Sequence, residues 1–158
     1  MIDADALYPL RNGKFKKVNL QNKILTPHHK EFADLLGIET SDLVKNILEI
    51  GRKFASSTKS YLVLKGAPTM IFNPAGVVCI NTSGNEGMAK LGTGDVLTGV
   101  IAAMLSQSSD IESTLISSVY LHGLSADLLL EKLTEYGITA TDIMNNIPAA
   151  IKFLRNSI

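Results

Sequence analysis

Tyr61-Leu62-Val63-Leu64, an unbroken apolar run that stops at Lys65-Gly66, is the stretch that most narrows what this chain can fold into. A strand with one wet face alternates apolar and polar residues. Four apolar residues in succession fit a strand covered on both faces, as in a parallel sheet flanked by helices. The neighbouring segments agree. Lys23-Ile24-Leu25-Thr26 is short, apolar and stopped by Pro27, and reads as a strand whose C-terminal end carries Thr26, Pro27 and His28. Over residues 30–36, Phe32, Leu35 and Leu36 fall at helical spacing, and Gly37 ends the helix. Ser41 or Asp42 caps one longer amphipathic helix expected to run to Ser56, with Leu43, Val44, Ile47, Leu48, Ile50, Phe54 and Ala55 on its apolar face. Thr69-Met70-Ile71-Phe72, the turn Asn73-Pro74-Ala75-Gly76 and Val77-Val78-Cys79-Ile80 read as a hairpin. Beyond residue 92 only helices are expected, over 93–107, 111–133 and 140–154. The layout is α/β, strands with crossover helices closed by a helical tail.

At 158 residues with 46% hydrophobic side chains and a mean hydropathy of +0.19, the chain is the size of one domain, 1–158, with a real core. Fifteen basic and fifteen acidic residues cancel, which leaves no basic face of the kind that binds nucleic acid or an anionic membrane. Lys14, Lys16 and Lys17 read as a solvated loop. The single cysteine, Cys79, cannot form an internal disulfide and reads as a buried strand residue, consistent with a reducing compartment. No apolar run reaches membrane-spanning length, and Met1-Ile2-Asp3-Ala4-Asp5 lacks the basic start and apolar centre of a signal peptide. A cytoplasmic location is expected.

Ligands of open α/β sheets bind at the C-terminal ends of the strands, and three polar clusters fall at such ends. They are Thr26-Pro27-His28-His29 with Glu31, then Lys65-Gly66-Ala67-Pro68-Thr69, then Asn85-Glu86-Gly87 running into Gly92-Thr93-Gly94-Asp95. In the last, two glycines let the backbone present bare N–H groups, and the helix that starts there aims its positive end at the same point. A carboxylate in that first turn repels phosphate unless Asp95 has a task of its own, such as taking a proton. The tetrapeptide alone fits equally a glycine loop followed by a capped helix. Lys65 alone is a surface lysine, but beside Gly66 it reads as a counter-charge for phosphate. His28 after Thr-Pro is a loop histidine made a candidate only by the edge it shares. His122, between Leu121 and Gly123 in a helix, reads as packing. Asp3 and Asp5 either hold a magnesium-bound phosphate or cap a turn.

Taken in order, Leu25-Thr26-Pro27-His28 with Glu31-Phe32-Ala33, Leu64-Lys65-Gly66-Ala67-Pro68-Thr69, Gly84-Asn85-Glu86-Gly87-Met88-Ala89, Gly92-Thr93-Gly94-Asp95-Val96-Leu97-Thr98-Gly99 and Leu121-His122-Gly123 resemble the ADP/ATP-dependent NAD(P)H-hydrate dehydratases of the ribokinase-like superfamily. The glycine-aspartate motif is widespread in that superfamily, whereas the ordered set spans most of the chain and is specific. The resemblance implies a three-layer αβα fold with a mostly parallel sheet. It also implies repair of hydrated NADH or NADPH, in which ADP or ATP, with Mg2+, provides a phosphoryl group to the ring hydroxyl before elimination. By the same resemblance Lys65, Gly66, Ala67, Pro68, Thr69, Asn85, Gly92, Thr93 and Gly94 contact the adenine nucleotide, while His28 and Asp95 face the hydrated dinucleotide and Asp95 is the base. Two departures stand out. Lys90 and Leu91 replace small residues near the phosphates, Lys90 offering a further phosphate contact and Leu91 adding bulk. Family members also carry further chain ahead of the segment matching Met1, so the N-terminal part of the domain is expected to be absent here. Either the chain is then a fragment of a longer protein, or a copy of itself or another chain is expected to cover the sheet edge. A small-molecule kinase of the same superfamily, acting on a hydroxymethyl pyrimidine, thiazole or sugar, and a non-catalytic nucleotide-binding fragment are the alternatives.

Overall fold

The structure, a computed structural model, describes residues 1–157. It divides into two compact units, Met1–Ile80 and Asn81–Ile158.

The first unit is built on the expected apolar strands. β1 (Ile24–Leu25) pairs in parallel with β2 (Tyr61–Leu64), Leu25 lying opposite Leu62. Leu62, Val63 and Leu64 are all fully buried, as an unbroken apolar run requires. β3 (Thr69–Phe72) returns antiparallel to β2 with Leu62 opposite Phe72, and β4 (Val78–Asn81) lies beyond it. The sheet is therefore mixed, parallel on the β1 side and antiparallel at the expected hairpin. The Asn73 side chain closes that hairpin by accepting from the N–H groups of Ala75 and Val77 at 3.0 and 2.9 Å. Ile2 adds a parallel bridge to Leu25. Cys79 is half-buried on β4 rather than buried, because every residue of that strand keeps some exposure.

α1 (His29–Leu36) ends where expected, with Gly37 in the left-handed region at φ 74°. The expected single helix over 42–56 is two, α2 (Thr40–Lys45) and α3 (Ile47–Thr58), broken at Asn46, whose φ/ψ of −132°/31° lie outside the helical well. Two short 3₁₀ segments, Ala4–Leu10 and Lys14–Lys17, place Leu7, Leu10 and Phe15 in the core. The lysine-rich stretch read as a solvated loop is thus anchored by Phe15. That ring packs on Phe54 at 5.1 Å, and Phe54 meets Phe32 edge-on at 5.1 Å and 86°. Gly51 fixes the approach of α3 to β3, since a Cβ there would come within 2.4 Å of the buried Phe72 ring.

The second unit is helical after its first residues. α4 (Thr93–Leu105), α5 (Ile111–Leu129) and α6 (Ala140–Asn156) stand close to the expected limits. Leu121, Leu124 and Ala150 form one buried cluster with Val100, Ile147 and Leu154, and Ala126, Ile138 and Ile143 form another with Met88 and Val96. Buried polar atoms tie α5 to α6. Ser125 donates to the Ile143 carbonyl at 2.7 Å, and the Asn146 amide donates to the Ser125 carbonyl at 2.9 Å. Among the described residues no helix is long and apolar enough to cross a membrane.

Candidate functional site

In the first unit two of the three polar clusters are brought side by side by the parallel β1/β2 pair. The ladder continues past both strands as a bridge between His28 and Lys65, with the Lys65 N–H donating to the Pro27 carbonyl at 2.8 Å. Apart from that of His29, the polar side chains of these clusters are engaged with one another, with Asp3 or with the backbone. Lys65 Nζ donates to Asp3 Oδ1 at 2.9 Å, the two side chains being only 19% and 11% exposed. Asp3 is thus the partner of the lysine expected to face phosphate. His28 is the N-cap of α1. Its Nδ1 accepts from the Glu31 N–H at 3.2 Å while the Glu31 carboxylate accepts from the His28 N–H at 2.7 Å, a reciprocal capping box. Its ring is half exposed. Gly66, Ala67 and Pro68 are exposed, the Ala67-Pro68 peptide is cis, and Thr69 Oγ1 closes their turn by donating to the Gly66 carbonyl at 3.0 Å.

His29, which the sequence did not single out, lies beneath that turn. A Cβ on Gly66 would fall 2.8 Å from His29 Nε2, and this buried nitrogen has no partner among the described residues. Burial, and then the neighbouring His28, hold its pKa below the ordinary value. Alternation along the strand end says that one histidine of a pair faces inward, but only the capping geometry settles which. A groove of about 660 Å³ bounded by Phe15, Leu20, Leu36, Ile50 and Phe54 contains none of the candidate residues.

In the second unit Gly92 begins α4 in the left-handed region, φ 87°, and no side chain caps the helix. α3 likewise starts without a side-chain cap, whereas His28 caps α1, Asp110 caps α5 and Thr139 caps α6. The Thr93 N–H is taken by the Lys90 carbonyl and the Val96 N–H by the Gly92 carbonyl. The N–H groups of Gly94 and Asp95 lie in the first turn, where no helical carbonyl precedes them. Thr93 is buried with Oγ1 unpartnered among the described residues, and Asp95 is exposed beside it. The arrangement offers two backbone donors and the positive end of a helix dipole next to a carboxylate, which suits an anion and a proton acceptor.

The surroundings of this turn are held from within the unit. The Asn85 side chain caps the 3₁₀ turn Glu86–Met88 by accepting from the Gly87 N–H at 3.0 Å, and its amide donates to Asp127 Oδ1 at 3.1 Å. Lys90, expected to offer a phosphate contact, instead donates its ammonium to the carbonyls of Glu135, Tyr136 and Ile138. Three carbonyls in one loop make a better-ordered partner than solvent, so that charge is spent inside the protein. Leu91 points away from the fold at 99% exposure and adds no bulk to it. His122 is buried at 4% exposure with Nε2 unpartnered among the described residues, its pKa lowered to about 4 by burial. Among the described residues no group of three or more His, Cys, Asp or Glu side chains is placed to hold a metal ion.

A family model described as NAD(P)H-hydrate dehydratase matches residues 1–149. The bifunctional NAD(P)H-hydrate repair enzyme of Thermofilum pendens is 36% identical over 98% of this chain, which spans 30% of that protein. The ADP-dependent (S)-NAD(P)H-hydrate dehydratase of Bacillus subtilis is 35% identical over 96% of this chain, which spans 54% of that protein. A crystal structure of the B. subtilis enzyme grown with ATP and Mg2+ matches with a TM-score of 0.78 at 36% identity, covering 82% of this chain and 47% of that one. A ribokinase-like superfamily protein of Enterococcus faecalis matches with a TM-score of 0.74 at 34% identity, covering 96% of this chain and 51% of that one. The fold is ribokinase-like α/β, and the chain spans about half the length of the dedicated dehydratases it matches and about a third of the bifunctional enzymes. With the family model running over residues 1–149, the chain belongs to the NAD(P)H-hydrate dehydratase family.

Proposed function

We propose that this chain serves the ADP- or ATP-dependent dehydration of hydrated NADH and NADPH. The observation that carries the reading is the start of α4, where a helix terminus without a side-chain cap and the exposed Asp95 carboxylate share one turn. The nucleotide supplies the phosphoryl group that makes the ring hydroxyl a leaving group. In this reading the Asp95 carboxylate accepts the hydroxyl proton, and the backbone N–H groups of the Gly92-Thr93-Gly94 turn stabilise the charge that builds on the transferring phosphoryl oxygens. Lys65, Gly66, Ala67, Pro68 and Thr69 serve as nucleotide contacts, Gly66 to Pro68 through exposed backbone and Lys65 as a charge oriented by Asp3. Asn85 contributes by shaping its segment, its side chain being occupied by Gly87 and Asp127. His28 keeps an exposed ring edge for the dinucleotide.

Mg2+ enters this reading with the nucleotide. Because the described residues offer no cluster of ligands, the ion would be held chiefly by phosphate oxygens and water. One domain over 1–158 is supported by the single family match that runs through both units. A cytoplasmic setting suits a chain whose one cysteine is free. Assembly with a second copy or another chain is supported by Val77 and Ile80, apolar residues at β4 that stand exposed. The test is the nucleotide-dependent loss of the ultraviolet signature of the hydrate, measured with the chain alone and with any chain that co-purifies with it. Loss of the signal that requires ADP or ATP, and that Asp95→Asn abolishes, supports the reading. A stable phosphorylated product without dehydration overturns it.

A further inference from the structure

The residues ahead of α4 are seated, at successive places, on the loop that leads into α6. Gly87 is buried, and a Cβ on it would lie 2.9 Å from the Glu135 carbonyl oxygen and 3.1 Å from the Glu135 Cα. Lys90 spends its ammonium on the same loop, donating to the carbonyls of Glu135 at 3.0 Å, of Tyr136 at 2.8 Å and of Ile138. A Cβ on Gly92 would come within 3.2 Å of the Ala140 methyl group. The loop is a firm support. Ile138 is fully buried in a cluster with Ala126 and Ile143, against which Met88 and Val96 pack. Immediately after it, Thr139 and Asp142 close the capping box that fixes the start of α6.

Lys90 also bonds the glycine turn directly. Its carbonyl accepts from the Thr93 N–H at 3.3 Å, and the Gly92 carbonyl accepts from the Val96 N–H at 3.0 Å. Those two bonds set where α4 begins, and with it the direction of the Gly94 and Asp95 N–H groups that lie between them. An ammonium is strongly hydrated on a flexible stem, so its capture by three carbonyls in place of water marks a built clasp. It has three N–H donors, one for each carbonyl, and none is left over for a phosphate oxygen.

We propose that Lys90 is a positioning residue for anion binding at the Gly92-Thr93-Gly94-Asp95 turn. Its ammonium clasps the 135–138 loop, its carbonyl holds the Thr93 N–H, and the turn between them is thereby fixed. The proposal rests on the reading of that turn as the phosphate site. It gives the lysine beside the turn a task other than meeting phosphate, and it makes the loop ahead of α6 a part of the site that touches no ligand.

The test compares Lys90→Met, which keeps an apolar stem and loses every donor, with Lys90→Arg, which keeps the charge and the donors. Lys90 is exposed, so neither change disturbs the core, and far-ultraviolet circular dichroism confirms folding. Amide hydrogen exchange at Thr93 and Val96 is measured without nucleotide, and ADP affinity is measured by calorimetry. Lys90→Met is expected to speed exchange at both amides by about tenfold and to weaken ADP binding by a similar factor. Lys90→Arg is expected to stay within about threefold of the wild type in both. A lysine that met phosphate directly would lower affinity on substitution by methionine and leave exchange in the nucleotide-free protein unchanged, and that result overturns the proposal. So does wild-type affinity in folded Lys90→Met protein. Failure of the wild-type chain to bind ADP overturns the nucleotide site instead. The exchange comparison, made without nucleotide, then still decides whether Lys90 fixes the turn.

Discussion

Apart from His29 Nε2, the polar groups around Lys65 answer one another, whereas more of those at the Gly92 turn are left over. In the first unit Lys65 has Asp3, His28 has Glu31 and Thr69 has Gly66. In the second, α4 starts without a side-chain cap, Thr93 Oγ1 is buried without a partner among the described residues, and Asp95 is exposed. A buried hydroxyl without a partner costs about 1–3 kcal/mol, and a missing cap costs about 1 kcal/mol more. Folding alone gives no reason to keep both at adjacent residues. The contrast separates groups that build the frame from groups the frame holds ready, and it supports the proposal that Asp95 at the start of α4 is the proton acceptor.

The sharpest way to break that contrast is Asp95→Asn. If the carboxylate is the proton acceptor, turnover falls by about 10²–10⁴-fold, while the midpoint of thermal unfolding stays put because the side chain is exposed. A loss of stability instead of rate would move Asp95 into the frame. Next in size is acid sensitivity. His122 is neutral in the folded protein down to pH about 4, against an ordinary value of 6.5. Above pH 6.5 neither state takes a proton and the group is silent. Between 6.5 and 4 only the unfolded chain protonates it, so stability falls by roughly 3 kcal/mol across that window. His29, whose pKa is also lowered by burial, acts in the same direction from the first unit. Asp34, Asp110 and Asp142 are held below their ordinary value by local hydrogen bonds, so their contributions disappear only at more acidic pH. Denaturant unfolding of His122→Asn across pH 4–7 should show a clearly flatter profile than the wild type.

Much of this contrast was legible in the sequence, and the part that was not has a common cause. The apolar run Tyr61–Leu64, the hairpin at Asn73, the end of α1 at Gly37 and the starts of α4 to α6 followed from patterns that act within a few residues, whereas α5 stops at Leu129, four residues short of the expected end. The break at Asn46 was not legible, because Leu43, Ile47 and Ile50 keep helical spacing across it. The side-by-side placing of the His28 and Lys65 clusters was legible from strand order. The partners that decide their roles were not. Asp3 lies 62 residues from Lys65, Asp127 lies 42 from Asn85, and the Glu135 and Ile138 carbonyls lie 45 and 48 from Lys90. No local pattern encodes such pairs, so a charge that the motif offers to phosphate looks the same whether or not the protein has already used it.

Smaller effects test the frame itself. Lys65→Met leaves Asp3 without its ammonium partner in a pair that is mostly buried. The loss expected is about 2 kcal/mol, between the exposed and fully buried cases. If Lys65 also meets phosphate, ADP affinity falls by more than the stability loss explains, and calorimetry beside denaturant unfolding separates the two.

His28→Ala is the mildest change and the most pointed. The substitution removes the ring atom that accepts from the Glu31 N–H but leaves the His28 N–H and the Glu31 carboxylate in place, so half of the capping box survives. Loss of an N-cap side chain costs about 1 kcal/mol, which urea unfolding resolves. His28→Asn restores an N-cap acceptor without restoring an imidazole edge. Recovery of stability together with recovery of turnover in His28→Asn would make His28 part of the frame, like Glu31 beside it. Recovery of stability with turnover still depressed would show that the exposed edge of the ring meets the dinucleotide. His28 would then be the one residue of the first cluster that serves both as cap and as contact.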